Sequence, residues 1–382
     1  MIRQRWVERA ERRPFLAILL LFVLTRCAVA LALHAGAACM TDAKRAEWAW
    51  VPGRSDLFLG PAPPALLAPF VRWDANFYLA LARHGYPPPR EDRPVYQVAF
   101  FPLYPLAASV AEKLVGNVFW AALLVSNCFA LAAALALFHL GKRNGSVRDG
   151  LGAATALLVA PGSHFLSLPY PEAMFVALLA WSLLELRKGR IWAAALAGAL
   201  AGATRSAGVV VCAALLYVAW TRRSSLRRAG ECLAAAAASL SGLAAFAAFC
   251  RARYGDAFAF VHIQSQYVND RSIKLFGALG AFAAFDVDPD YYLVTLAALA
   301  VCVAMIKRAA VLDTLVAWFL LLLPLSTGTL KAMVRYQSAN VTLLSGIVRL
   351  DIARRWPYAL ASSSAALLLL EAFLFGKGIG HY

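Results

Sequence analysis

The sequence predicts an all-α, polytopic integral membrane protein with about eleven transmembrane helices. Three observations carry that expectation. Of the 382 residues, 62% are hydrophobic and only 15% are charged, whereas about a quarter of an ordinary soluble domain is charged. Apolar runs recur along the whole chain, several near the roughly 20 residues that a helix needs to cross a bilayer. Basic residues fall in short clusters between these runs. The formal charge of +16 does not read as nucleic-acid binding, because no Lys/Arg stripe with interleaved aromatics accompanies it.

Taking the basic clusters as cytoplasmic loops orders the elements. Residues 14–35 follow Arg3, Arg5, Arg9, Arg12 and Arg13 and leave the cytoplasm. This run is too long for a signal-peptide core and lacks an obvious cleavage site, so it is a retained helix. Residues 36–117 form a long external loop, and 118–140 return to Lys142 and Arg143. Residues 150–167 exit to the link "LPYPEA", and 172–186 return to Arg187, Lys188 and Arg190. Two short apolar pieces, 191–203 and 207–220, are joined by "TRSAG" and make a thin hairpin or re-entrant pair ending at Arg222, Arg223, Arg227 and Arg228.

Residues 231–250 exit, 251–290 form a second external loop, and 291–306 return to Lys307 and Arg308. Residues 310–326 exit, 337–348 return to Arg349, Arg354 and Arg355, and 357–375 exit last. The amino terminus lies inside and the carboxyl terminus outside, in one membrane-embedded domain spanning 1–382. The run 99–114, "AFFPLYPLAASVAEKL", would break this parity by crossing. It reads instead as an interfacial or re-entrant helix introduced by Pro102 and Pro105.

Several residues stand out against this background. In "RWDANFYLALARHGYP" (72–87), helical spacing places Asp74 and Tyr78 on one face and Trp73, Phe77 and Leu81 on the adjoining one. A carboxylate beside low-dielectric walls can serve as a general base; the plainer reading is that Asp74 solvates a loop or pairs with Arg72. Arg26 lies mid-helix in the first run, where an ion pair with Glu371 of the last run is the expected compensation. Asp286, Asp288 and Asp290 read as a turn before the next helix, in preference to a divalent-ion site. His262 and Gln264 are polar residues of the second external loop that are more simply loop residues than sugar ligands. The seven cysteines show no metal spacing; Cys27, Cys128, Cys212, Cys250 and Cys302 lie in apolar runs and read as small buried hydrophobes.

"RWDANFYLALARHGY", followed by "FFPLYPL", resembles the signature of the PIG-V family of mannosyltransferases and their prokaryotic relatives, within the GT-C superfamily of multi-spanning enzymes. The resemblance continues through 161–181, 196–211 and the late "VRYQ" at 334–337. It implies a GT-C-type architecture and transfer of a hexose, mannose above others, from a polyprenyl-phosphate sugar to a glycan, lipid or protein acceptor on the extracytoplasmic face. Asp74 would be the catalytic base. Arg205 and Arg335 would meet the negative charge that develops on the departing phosphate, with membrane-edge snorkelling as the alternative for each.

Arg72, Trp73, Tyr78, Tyr170, Glu172 and Tyr336 complete the implied donor and substrate contacts. Glu172 would hydrogen-bond sugar hydroxyls or fix Arg205, or else cap the helix that starts there. No cofactor or metal is implied. The family's "YSES"-like step is "YPEA" here, and "QSANVTLL" stands where Phe-Pro commonly follows the late motif. The excess of Arg over Lys, 29 to 8, points to a GC-rich prokaryotic genome and hence to an inner-membrane protein. The rival from another class is a transporter or lipid flippase without chemistry, whose hallmark would be inverted internal repeats.

Overall fold

A computed structural model describes residues 10–47, 62–89, 94–143, 145–265, 277–284 and 289–380. Its regular structure is helical, with no strand among the described residues. In chain order the principal helices are α1 (Pro14–Ala38), α2 (Ala75–His84), α3 (Leu103–Val115), α4 (Val118–Arg143), α5 (Val147–Val159), α6 (Glu172–Arg187), α7 (Ile191–Thr204), α8 (Val210–Thr221), α9 (Leu226–Ser239) and α10 (Ser241–Tyr254). After these come α11 (Pro289–Arg308), α12 (Val311–Leu325), α13 (Met333–Ser338), α14 (Val341–Ile347) and α15 (Pro357–Gly376). Local chemistry sets several boundaries. Pro14 occupies the first turn of α1, where its missing N–H costs nothing. Ser146 and Asp149 close a reciprocal capping box on α5, and Asn340 accepts from the Leu343 amide to start α14.

Five described helical stretches are long and apolar enough to cross a membrane: 14–38, 118–143, 226–254 (α9 and α10 together), 289–308 and 357–376. Helices α7 and α12, with the 206–221 stretch containing α8, are apolar but shorter. Two of the eleven expected crossings differ in form. Residues 150–167 are not one helix: α5 ends at Val159, and 161–167 continue as a 3-10 turn that meets α6 at 102°. Residues 337–348 are likewise divided, between α13 and α14, at Asn340. The 99–114 run does form a helix, α3.

Alanine lets helices approach closely. The largest core joins α4 to α9, with Ala130, Ala133, Ala153, Ala177, Ala194 and Ala235 among its fully buried members. In an apolar solvent such small-residue contacts, not a hydrophobic drive between helices, hold neighbours together. A second core joins α1, α2, α3 and α15 around Tyr104, Phe165, Tyr170 and Phe375. Here α1 and α15 touch backbone to backbone: a β-carbon on Gly36 would overlap the Phe373 carbonyl, and one on Gly376 the Leu33 carbonyl. The outer face of α1 exposes Leu24 and Leu31 by 67% and 72%, as a lipid-solvated helix does. Cys27 and Cys128 also lie on helix exteriors and are exposed, so these two are not the buried hydrophobes expected from their apolar runs.

Basic helix ends gather together. Arg143 Nη2 donates to the Arg187 carbonyl at 3.0 Å, and Arg187 forms a largely buried ion pair with Asp313 at the start of α12. Lys188 and Arg190 bond Glu185. The opposite end of α6 carries Glu172.

Candidate active site

Helix α2 begins at Ala75, two residues after Trp73, which the sequence pattern places on the helix. Trp73 has φ 43°, a left-handed conformation costly for a residue with a β-carbon, so it lies outside the helix and does not share a face with Phe77 and Leu81. Its indole packs on Phe375 of α15, with centroids 4.7 Å apart. Phe77 instead stacks on Phe100 at 4.5 Å. The turn at Trp73 separates its neighbours. Arg72 is buried and directs Nη2 to Met40 Sδ at 3.7 Å, whereas Asp74, at the N-cap of α2, faces another way.

Asp74 pairs with Arg335, not with Arg72. Its Oδ2 accepts from Arg335 Nη1 at 2.7 Å. Arg335 Nε in turn donates to Glu172 Oε1, and Arg205 Nη1 donates to that same oxygen. Four residues from four separate stretches thus form one chain of alternating charge, Asp74–Arg335–Glu172–Arg205. Its side chains are 26%, 6%, 1% and 17% exposed in that order, so Glu172 lies deepest and Asp74 is the most accessible. Glu172 Oε2 is buried without a hydrogen bond. Glu172 also opens α6, where a carboxylate complements the helix dipole; helix start and arginine anchor coincide in one side chain.

Aromatic rings line the arginines. The Arg335 guanidinium lies 4.7 Å from the Tyr170 ring centre and 5.2 Å from that of Phe165. Arg205 lies over Tyr336 at 5.2 Å. Such faces attract a planar cation and fix its orientation. The Tyr170 hydroxyl donates to the Arg72 carbonyl at 3.0 Å, tying the "YPEA" step to the "RWD" turn. Tyr78 is buried edge-on against Phe100 and Tyr104, 5.1 and 5.5 Å away, with Tyr170 at 6.2 Å.

The structure therefore brings Asp74, Tyr170, Glu172, Arg205, Arg335 and Tyr336 together, with Tyr78 and Trp73 in the surrounding aromatic wall and Arg72 engaged through its backbone. The expected Arg26–Glu371 pair is not formed: Arg26 bonds carbonyls and hydroxyls of residues 158–167 instead. His262 bonds Asp256 at 2.6 Å and takes no part in this chain of charges. Asp286 and Asp288 lie outside the described residues, and Asp290 falls in the first turn of α11. Among the described residues no three His, Cys, Asp or Glu side chains group as a metal site. Phe165 and Phe375 are site residues that sequence reasoning missed. Phe165 lies inside the quoted 161–181 motif, a signal that was available; Phe375, in a uniformly apolar helix, offers none.

The arrangement is a charge-balanced, partly open cluster in which two guanidinium forks converge on one carboxylate beside a more accessible second one. It is suited to receive an anionic group on the arginines and a proton on Asp74. The family model for mannosyltransferase (PIG-V) matches residues 17–270. Among characterised relatives, GPI alpha-1,6-mannosyltransferase 2 of Rattus norvegicus is 33% identical over 166 residues, covering 40% of this chain and 32% of that protein. The Homo sapiens counterpart is 31% identical over 173 residues, 42% of this chain and 34% of that protein. The match thus spans about a third of the length of these relatives. Among solved structures, ArnT from Cupriavidus metallidurans, crystallised with undecaprenyl phosphate, superposes with a TM-score of 0.52 at 14% identity, over 94% of this chain and 76% of that one. That likeness is one of fold: a GT-C-type membrane architecture.

Proposed function

The chain belongs to the PIG-V mannosyltransferase family, and from that premise we propose that it transfers a hexose, mannose above others, from a polyprenyl-phosphate sugar to an acceptor hydroxyl. The single observation that carries this reading is the Asp74–Arg335–Glu172–Arg205 chain. The acceptor oxygen attacks the anomeric carbon as its proton passes to the Asp74 carboxylate. The bond from that carbon to the phosphate oxygen breaks on the opposite face, so the configuration inverts and the lipid phosphate leaves as an anion. A phosphate is already a good leaving group and needs cations, not an acid. Arg205 and Arg335 supply them; the fold likeness to an undecaprenyl-phosphate complex supports the same ligand chemistry here.

The ion pair of Asp74 with Arg335 adds an order to these events. While Arg335 holds Asp74, that carboxylate oxygen is occupied by the guanidinium. A donor phosphate competes for Arg335 and frees Asp74 only when a sugar is in place to be attacked, so donor binding precedes productive acceptor binding. An extracytoplasmic reaction face is supported by the basic cluster at the end of α6 away from Glu172. The excess of arginine supports a prokaryotic inner membrane. The acceptor is a glycan, lipid or protein.

The test is transfer of radiolabelled sugar from a panel of polyprenyl-phosphate sugars into membrane extracts, by the native chain and Asp74→Asn in nanodiscs. The variant is expected to lose on the order of 10²–10⁴-fold in rate while still binding donor. Equal transfer by the variant removes Asp74 as base. No transfer by well-folded native chain from any donor turns the reading towards a carrier.

A further inference from the structure

Arg26 sits midway along α1 and is only 9% exposed. Its Nη1 donates to the Ser163 carbonyl and to Ser167 Oγ, each at 2.9 Å. Its Nη2 donates to the Leu158 carbonyl at 3.0 Å and to Ser163 Oγ at 3.4 Å. Its Nε reaches Thr25 Oγ1 at 3.4 Å. A guanidinium has five N–H donors, and these bonds account for each of them without a carboxylate. A cation in an apolar helix is expensive to keep, yet this one pairs with no carboxylate among the described residues. Apart from Thr25 beside it, it gathers carbonyls and hydroxyls of one stretch, 158–167. Leu158 lies in the last turn of α5, where unpaired carbonyls carry partial negative charge, and Ser163 and Ser167 lie in the 3-10 turn that follows.

The other side of that turn bears on the site. The Gly162 amide donates to Ser338 Oγ at 2.9 Å. A β-carbon at Gly162 would stand 2.6 Å from the Val334 carbonyl oxygen and 2.7 Å from Ser338 Oγ, so no side chain fits between the turn and α13. Val334 and Ser338 flank Arg335 on α13, and Phe165 of the same turn presents its ring to the Arg335 guanidinium. Residues 161–167 are therefore the seat of Arg335, and Arg26 grips that seat from behind.

We propose that Arg26 is a positioning residue: by holding the 161–167 turn against α13 it sets Arg335 where a lipid phosphate is received. The inference rests on the reading of Arg335 as a phosphate ligand. Lysine carries its donors on one nitrogen and lacks the fork by which Arg26 bonds Leu158 through Nη2 and Ser167 through Nη1, so the arginine fork is what spans the turn.

The experiment compares the native chain with Arg26→Gln, Arg26→Lys and Ser167→Ala in nanodiscs. It reads the Kd for undecaprenyl phosphate, the donor and acceptor KM, kcat and the melting temperature. Arg26→Gln is expected to raise the undecaprenyl-phosphate Kd and the donor KM roughly tenfold or more, as a small misplacement of a ligand does, with the acceptor KM unmoved. Arg26→Lys recovers part of the loss. Ser167→Ala, which removes one acceptor and leaves the cation in place, shows a smaller shift in the same direction and decides the matter if Arg26→Gln does not fold. Lower melting temperatures with unchanged Kd and donor KM make Arg26 a purely structural residue and overturn the proposal. Failure of the native chain itself to bind undecaprenyl phosphate overturns the phosphate reading of Arg335, and the role of Arg26 with it.

Discussion

Replacing Glu172 by Gln removes the carboxylate that Arg205 and Arg335 share. The glutamine carbonyl can still accept from Arg205 and Arg335, so contact persists while charge assistance is lost. A hydrogen bond to a charged group contributes about 1 kcal/mol more than a neutral one, hence about 2 kcal/mol over the two arginines. The new amide nitrogen would take the place of Oε2, which is buried and has no hydrogen-bond partner; an unsatisfied donor there costs a further ~1–3 kcal/mol. The sum, about 3–5 kcal/mol, agrees with the cost of breaking a buried pair from one side. With Glu172 at 1% side-chain exposure, little solvent screening reduces it.

In thermal unfolding of nanodisc-embedded protein, that loss corresponds to a melting temperature lower by roughly 5–10 °C. A second readout follows from the charge balance. With Glu172 neutral, Arg335 keeps Asp74 and Arg205 loses its carboxylate partner, so a phosphate monoester is expected to bind more tightly. Saturating undecaprenyl phosphate, which contributes about 2.7 kcal/mol at a hundredfold excess over Kd, should restore more of the melting temperature in the variant than it adds to the native chain. A variant that melts with the native chain, or gains no more from the ligand, refutes the assignment of Glu172 as the counter-ion of both arginines.

Gly36→Leu would drive a side chain into the Phe373 backbone; overpacking of at least ~1–3 kcal/mol and separation of α1 from α15 are expected in thermal denaturation. Arg187→Met leaves Asp313 buried without its cation, so a stability loss of ~3–5 kcal/mol is expected, with donor KM unchanged because this pair lies at the other end of α6. The hydrogen bond from His262 holds the Asp256 carboxyl below its usual range. The stabilisation this gives the loop is present above the unfolded carboxylate pKa and lost as pH falls through the depressed folded value. His262→Gln should therefore move that loss to higher pH, read as exchange of the Phe258 amide that Asp256 accepts from at 2.9 Å.

Much of the fold was legible because membrane helices announce themselves by length and apolarity, and helix ends by basic clusters. The break after Val159 was not. Pro161 hinted at it, but its form depends on a guanidinium 137 residues away in sequence from Ser163, and no local pattern encodes such a partner. The Arg26 pairing was misjudged for a related reason: charge balance argued for Glu371, whereas hydrogen-bond geometry is satisfied equally by carbonyls and hydroxyls. In the site, Asp74, Glu172, Arg205 and Arg335 were each recognisable from their motifs. That Asp74 turns from its neighbour Arg72 to a residue 261 positions later follows from the left-handed Trp73, a conformation that helical periodicity would not suggest.

The clasp between α1 and α15 has a consequence for biogenesis. Leu33 meets Gly376, and Phe375 of that late helix packs against Trp73, Phe165 and Tyr170. At ordinary rates of synthesis, the early helix waits on the order of 20–70 s for its mate to emerge. Throughout that interval the glycine groove of α1 is open to lipid or to an insertase, and the wall of the site lacks one ring. The wall of the site is thus completed late in translation, when the helix of residues 357–376 leaves the translocon and docks. Nascent chains arrested before it would be inserted with that wall unfinished.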